Sequence, residues 1–173
     1  MTMKDNNNFK YLVSSKKDTL WGITVDNVGS AEISPGYENY PSTKGHPKEY
    51  YFRPDKGRIL DNYQFIYLSR GQGLCFFRPN VPIEFKAGDM LIIPPYTWHS
   101  YFPDHKTGWC EYWIGMRGNI IENRFLNGFV SSSQRVFKIG YCEEIIEYYH
   151  RAQEIAVQEM PGYQQVLAGL ANM

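Results

Sequence analysis

The 173-residue chain has little cysteine and no net charge. Its three cysteines, Cys75, Cys110 and Cys142, lie far apart without a Cys-x-x-Cys pair, which excludes a disulfide framework and a cysteine-type zinc site. Basic and acidic residues both number 18, whereas a domain that binds the phosphates of nucleic acids is usually strongly basic. We therefore expect this chain to bind neither nucleic acid nor an anionic membrane surface directly.

Long apolar segments are also missing. The longest apolar run, residues 90–95, is far too short to cross a bilayer, and the polar N-terminus lacks the apolar region of a secretory signal. We therefore expect a cytoplasmic protein, with a length that fits one domain. Tyrosine, by contrast, is abundant, with 14 residues. Its apolar face and polar tip suit a lined pocket or an interface.

The chain divides into three segments by its pattern. Residues 1–19 show no clear period and are interpreted as an N-terminal arm. Residues 20–118 hold β-branched and aromatic runs that recur every ~10 residues between glycines and prolines, which predicts a β-sandwich or barrel. Within this segment, residues 34–58 form a long irregular connection rich in tyrosine, and the RGQG stretch at 70–73 is expected to turn the chain between two strands.

Residues 119–173 are predicted to be mostly helical. A short helix is expected near 120–129, a last strand near 134–140, and a helix over 141–160 that Pro161 and Gly162 end. Another helix begins after Gly162, and its abrupt end suggests a truncated segment. The apolar stripe of the 141–160 helix is wider than one partner needs, so we expect a homodimer there, through Ile145, Ile146, Tyr149, Ala152 and Ile155.

The clearest local motif is GDMLIIPPYTWH. Gly88, Pro94 and His99 match the spacing of the second signature of cupin barrels, in which the histidine is a metal ligand of the enzymes. Gln64 stands at the glutamate position of the first signature, and no histidine precedes it between residues 57 and 63. Catalytic metal sites generally need three protein ligands, so we expect no metal and no other cofactor. His99 is then either a rim side chain bonded to the backbone or a ligand contact.

Three stretches carry a closer resemblance, namely YQFIYLSRGQG, KAGDMLIIPPYTWHSYFPD and GWCEYWIGMRG. Together they resemble the sensor domain of AraC-type bacterial transcription regulators over about residues 20–173. The resemblance implies a mostly β, cupin-like barrel (a double-stranded β-helix or jelly-roll) with C-terminal α-helices that dimerise. It also implies a small-molecule effector, often a sugar, and a separate helix-turn-helix module for DNA binding, which is not present in this chain.

Candidate ligand-binding residues follow from the resemblance and from the strand pattern. The resemblance places Glu111, Trp113, Tyr101 and Arg53 at effector-contacting positions, and we add Gln64 and His99. Strand alternation puts Trp109, Glu111 and Trp113 on one face. A buried glutamate needs partners, which sugar hydroxyls supply, and a tryptophan face can stack on a sugar ring. Plainer interpretations stay open, with Trp113 as a core residue and Glu111 as a solvated rim residue.

Three functions remain on these grounds. The leading hypothesis is an effector-sensing and dimerisation domain of a transcription regulator, with no catalytic residues. The alternative is a small metal-dependent cupin enzyme acting on a sugar, against which the missing first-signature histidines count. A third is a dimerisation scaffold with a vestigial pocket.

Overall fold

The computed structural model describes residues 6–41, 46, 48–51, 53–131 and 133–173. In these residues a mostly β fold is followed by helices, which confirms the predicted fold class. The elements are β1 Asn6–Tyr11, α1 Lys16–Thr19, β2 Thr24–Ile33, β3 Tyr63–Phe76, β4 Pro82–Lys86, β5 Asp89–Ile93, β6 Ser100–Pro103, β7 Trp109–Arg117, α2 Asn119–Leu126, β8 Val136–Lys138, α3 Glu143–Gln158 and α4 Tyr163–Leu170.

Strand β3 belongs to two layers of antiparallel sheet. One layer has the order β1-β2-β7-β3-β5-β8, while β4 and β6 pair with the second half of β3. The turn predicted at RGQG is therefore wrong, because β3 continues through it. A register shift between Leu68 and Arg70, together with Gly71 at φ 82°, bends the strand instead. This bend carries β3 from one layer to the other and encloses space between them.

The outer face of the larger layer packs against the C-terminal helices. Buried residues of β3 and β7, among them Tyr67 and Met116, share a core cluster with Tyr149 and Ala152 of α3 and Leu167 of α4. The Tyr149 hydroxyl also donates to the Phe65 carbonyl at 3.1 Å.

The predicted dimer residues accordingly fall into two groups. Tyr149 and Ala152, only 6% and 2% exposed, are contacts within the subunit, because the helix must cover its own barrel. Ile145, Ile146 and Ile155 are half-buried and pack at the margin of the same cluster. Their role in a second interface stays a prediction.

The inner face of the same layer forms the interior of the barrel. Trp109, Glu111 and Trp113 of β7 share this face, and β2 lies beside them with Gly29 opposite Trp113. A Cβ atom on Gly29 would lie 2.3 Å from Cζ2 of Trp113, so only glycine leaves room for the indole ring. The glycine of β2 thus lets the Trp113 ring pack against this strand.

One segment of the predicted arm, strand β1, is part of the sheet. Strand β1 pairs with β2 at the edge, and α1 is preceded by the N-cap residue Ser15, whose side chain forms a capping box with Asp18. Residues 1–5 lie outside the described residues. Since β1 docks on β2, it brings Phe9 and Tyr11 to one end of the barrel.

Candidate functional site

A small cavity of about 50 Å³ lies inside the barrel at this end. Its floor consists of strand residues and its roof of residues from β1 and from the irregular connection after β2. The lining residues are Tyr11, Asn27, Ala31, Ile33, Tyr40, Pro41, His46, Tyr50, Arg58, Gln64, Tyr101, Glu111 and Trp113. Four predicted ligand contacts are thereby brought together, namely Gln64, Tyr101, Glu111 and Trp113.

Arg58 is the positive charge of the cavity. Its guanidinium donates from Nη2 to the Tyr101 hydroxyl and from Nη1 to the Tyr50 carbonyl, both at 2.7 Å. The third donor, Nε, lies 3.1 Å from Nε2 of His99. Partners on three sides fix the plane of the guanidinium, so its charge is held at one place in the cavity.

His99 supports Arg58 from behind and does not line the cavity. Because a guanidinium only donates, Nε2 of His99 must accept, and Nδ1 must carry the proton that it donates to the Thr97 carbonyl at 2.9 Å. Burial, and then the charge of Arg58, lower the pKa of His99 to about 3. His99 is therefore a neutral imidazole with backbone contact, and it positions Arg58.

Glu111 is the acidic group of the cavity. It is 5% exposed, and the Tyr40 hydroxyl donates to its carboxylate, with oxygen distances of 3.1 and 3.3 Å. Burial raises the pKa of Glu111 to about 7, while the Tyr40 hydrogen bond and the Arg58 charge act in the opposite direction. The carboxyl group is thus poised between its two protonation states near neutral pH, and it is not the solvated rim residue of the plainer interpretation.

A chain of amides fixes Gln64 at the far side. The Gln64 side-chain NH₂ donates to Asn62 at 2.9 Å, and Asn62 donates to Asp26 at 2.8 Å. Asp26 is in turn paired with Arg117 at 2.8 Å. The Gln64 side chain is therefore oriented by a network that ends in a salt bridge, and its position does not depend on a ligand.

The roof is an aromatic cluster. The Phe9 ring stacks on His46 with centroids 4.0 Å apart, and the Tyr11 hydroxyl lies 2.6 Å from Nδ1 of His46. Burial and the charge of Arg58 lower the pKa of His46 to about 4. Tyr50 completes the cluster beside Tyr11, with centroids 4.6 Å apart. Strand β1 and the irregular connection thus close the cavity together.

Arg53 does not line this cavity, and its assignment as a ligand contact stays a prediction. Its side chain is 71% exposed and pairs with Asp55 on the surface at 2.8 Å. Arg58 provides the cavity's guanidinium instead, because the backbone of Arg58 pairs with that of His99 while Arg53 lies in the preceding turn. The tyrosine content signalled a lined pocket, but no pattern indicated that Tyr11, Tyr40 and Tyr50 would be the tyrosines that line it.

The residues at this site do not fit a catalytic metal. In the described part of the chain, no group of three or more histidine, cysteine, aspartate or glutamate residues could hold an ion. Gln64 is a neutral amide, and the accepting nitrogen of His99 is used by Arg58. A cation placed there would also face the guanidinium charge.

A second, apolar groove of about 280 Å³ lies between the barrel and the helices. Its walls include Phe65, Met90, Ile145 and Tyr149. The groove has few polar groups to orient a small polar ligand, so the Arg58–Glu111 cavity is the better candidate for specific recognition.

Residues 44–162 match the family model of the AraC-like ligand binding domain, which covers more than half of the chain. The chain belongs to this family. Curated relatives include the Msm operon regulatory protein of Streptococcus mutans, 25% identical over 120 residues that make up 69% of this chain and 35% of that protein. The MmsAB operon regulatory protein of Pseudomonas aeruginosa is 31% identical over 83 residues, which are 46% of this chain and 27% of the relative.

The AraC-like chain spans about a third of the length of these regulators. Among solved structures, a cupin-like protein from Thermotoga maritima has a TM-score of 0.40 at 15% identity, covering 76% of this chain and 89% of that one. A cupin superfamily protein from Desulfitobacterium hafniense also has a TM-score of 0.40, at 10% identity, covering 66% of this chain and 81% of that one. In the described residues, no helix combines the length and apolar character needed to cross a membrane.

Proposed function

We propose that the chain is the effector-sensing and dimerisation domain of a cytoplasmic transcription regulator, and that it is not an enzyme. The effector is a sugar or sugar derivative bound without metal. The observation that carries this proposal is the cavity, where half-buried Arg58, buried Glu111 and the indole of Trp113 line one space in a member of a ligand-binding family. Polar groups held in a fixed geometry beside an aromatic face suit a ring with hydroxyl groups.

Control of transcription requires that the effector bind one arrangement of the domain better than another. The roof provides the element that differs between arrangements, because the described roof residues Tyr40, Pro41 and His46 lie outside the sheet. We propose that closure of the roof is passed to α3 and α4, which dimerise. DNA is bound by a separate module of a longer regulator, in keeping with the zero net charge of this chain.

A thermal-shift panel of pentoses, hexoses and hexuronic acids tests the proposal. A compound at ~100 times its dissociation constant adds about 2.7 kcal/mol to the free energy of unfolding. Trp113→Leu should abolish the shift, since it removes the stacking face. Trp21→Leu is the matched control, because Trp21 is 60% exposed and lies outside the cavity.

Two results would contradict the proposal. One is a panel in which no compound stabilises the wild-type protein. The other is a compound that stabilises the wild type and Trp113→Leu equally, because its binding would then not involve the cavity.

A further inference from the structure

The described residues leave little free space in the cavity for a ring-shaped effector. About 50 Å³ accommodates a few water molecules. The strand residues of the floor are held by sheet hydrogen bonds, whereas the roof residues Tyr40, Pro41 and His46 belong to no strand or helix. Space for a ligand must therefore come from the roof.

Tyr40 is a roof residue whose ring reaches into the barrel. The residue as a whole is half-buried, but its ring lies edge-on to Trp109, with centroids 5.5 Å apart at 87°, and Trp109 is fully buried. The Tyr101 ring lies on another side at 6.2 Å. At the end of the ring, the hydroxyl donates to Glu111. The Tyr40 side chain is thus surrounded by two aromatic rings, and the Glu111 carboxyl group accepts a hydrogen bond from its hydroxyl.

These surroundings are those of a binding site for a ring that carries a hydroxyl group. We propose that Tyr40 is an intramolecular occupant of the effector site, and that the effector displaces it with a ring hydroxyl that takes over the hydrogen bond to Glu111. This inference rests on the proposed sensing function and names the group with which the effector competes. Loss of a hydrogen bond to a buried carboxyl group is costly, and a ligand that lacked a donor would not replace the one that Tyr40 gives to Glu111.

The competition has a measurable consequence for affinity. The apparent dissociation constant of a ligand equals its intrinsic value divided by the fraction of molecules whose site is open. If Tyr40 fills the site in about nine of ten molecules, its removal strengthens the binding of a displacing ligand about tenfold.

The direct test uses Tyr40→Ala and 4-methylphenol, which reproduces the tyrosine side chain. The compound should raise the melting temperature of Tyr40→Ala in a saturable manner, and toluene, which lacks the hydroxyl, should do so much less. Wild type and Tyr51→Ala should need about ten times more of the compound for the same response, because Tyr40 still occupies their site; Tyr51 belongs to the same connection and is 41% exposed. An equal response of the wild type, or no response of Tyr40→Ala, would overturn the proposal.

A second variant covers the case in which Tyr40→Ala does not fold. Tyr40→Phe keeps the ring and loses the donor, so the pKa of Glu111, followed by carboxyl NMR, should rise above its wild-type value. Tyr51→Phe should leave it unchanged, and an unchanged Glu111 in Tyr40→Phe would contradict the occupancy. Neither measurement uses a sugar or DNA, so a failure here is distinguishable from a failure of the sugar panel.

Discussion

Arg58 and His99 are joined through both backbone and side chain. Their backbone groups exchange hydrogen bonds of 2.9 and 3.0 Å, and Nε of Arg58 donates to Nε2 of His99 at 3.1 Å. The histidine at the metal-ligand position of the cupin motif therefore holds an arginine in this protein. At this position of the fold His99 holds the Arg58 guanidinium in place, so the positive charge of the cavity comes from a side chain and not from a metal ion.

Replacing Arg58 should be costly. Arg58→Met removes the hydrogen bonds that the guanidinium donates to His99, Tyr101 and the Tyr50 carbonyl, and a buried acceptor such as His99 Nε2 that loses its partner costs about 1–3 kcal/mol. We expect a loss of at least about 2 kcal/mol in the free energy of unfolding, measured by urea denaturation. Arg53→Met, which breaks a surface ion pair, should cost less than about 0.5 kcal/mol. Equal losses in the two variants would contradict the role given to Arg58.

Glu111 should make stability depend on pH. Its native pKa of about 7 lies above the ordinary value of 4.5 because the carboxyl group is buried. Between pH 4.5 and 7 the native state therefore holds the proton that the unfolded state has released. The stability tied to this proton is complete below pH 4.5 and is lost as the pH rises through 7. Relative to Glu111→Gln, the wild type should therefore lose up to about 3 kcal/mol over this range. Parallel pH profiles of the two proteins would contradict the burial of an ionisable carboxyl group.

Gly29 should be intolerant of a side chain. In Gly29→Ala the new methyl group would meet the Trp113 ring at 2.3 Å, so the indole must move and the strand must strain. We expect a loss of about 1–3 kcal/mol and a changed tryptophan fluorescence spectrum. Gly169→Ala, in α4, meets nothing within 4 Å and should be neutral or stabilising by up to about 1 kcal/mol. A Gly29→Ala protein with wild-type stability and fluorescence would show that Trp113 does not lie over β2.

Dimerisation through α3 should depend on its less buried apolar side. Ile146 is half-buried, and Val157, about three turns further along the same side of the helix, is 62% exposed. We expect Ile146→Glu/Val157→Glu to sediment as a monomer under conditions in which the wild type is a dimer, because two charges would be desolvated at the contact. Val81→Glu, in the turn before β4, is the control. If wild type and double variant sediment alike, α3 is not the interface.

The sequence predicted which segments form helices and strands more accurately than it predicted where a strand bends. Helix α3, the break at Pro161 and Gly162, and the shared face of Trp109, Glu111 and Trp113 all follow from local periodicity, and the structure confirms them. The continuity of β3 through RGQG was missed because glycine permits both a turn and a bent strand. Only pairing with distant strands decides between these two conformations.

The candidate site was predictable only in part. Glu111 and Trp113 could be found because a strand fixes the direction of its side chains. Tyr40 and Arg58 could not, since their positions depend on how an irregular connection folds over the barrel. Arg53 and Arg58 lie in the same connection, and only the backbone pairing of Arg58 with His99 turns one of them inward.

The most direct test of the account uses the four tryptophans as reporters in nitrogen-15 NMR spectra. The sugar that most raises the melting temperature should shift the indole signals of Trp113, in the cavity wall, and Trp109, beside Tyr40. The signals of Trp21, on the surface, and Trp98, whose indole donates to the Lys56 carbonyl, should stay in place. An unchanged Trp113 signal, with shifts confined to residues of the groove between barrel and helices, would contradict an effector site inside the barrel.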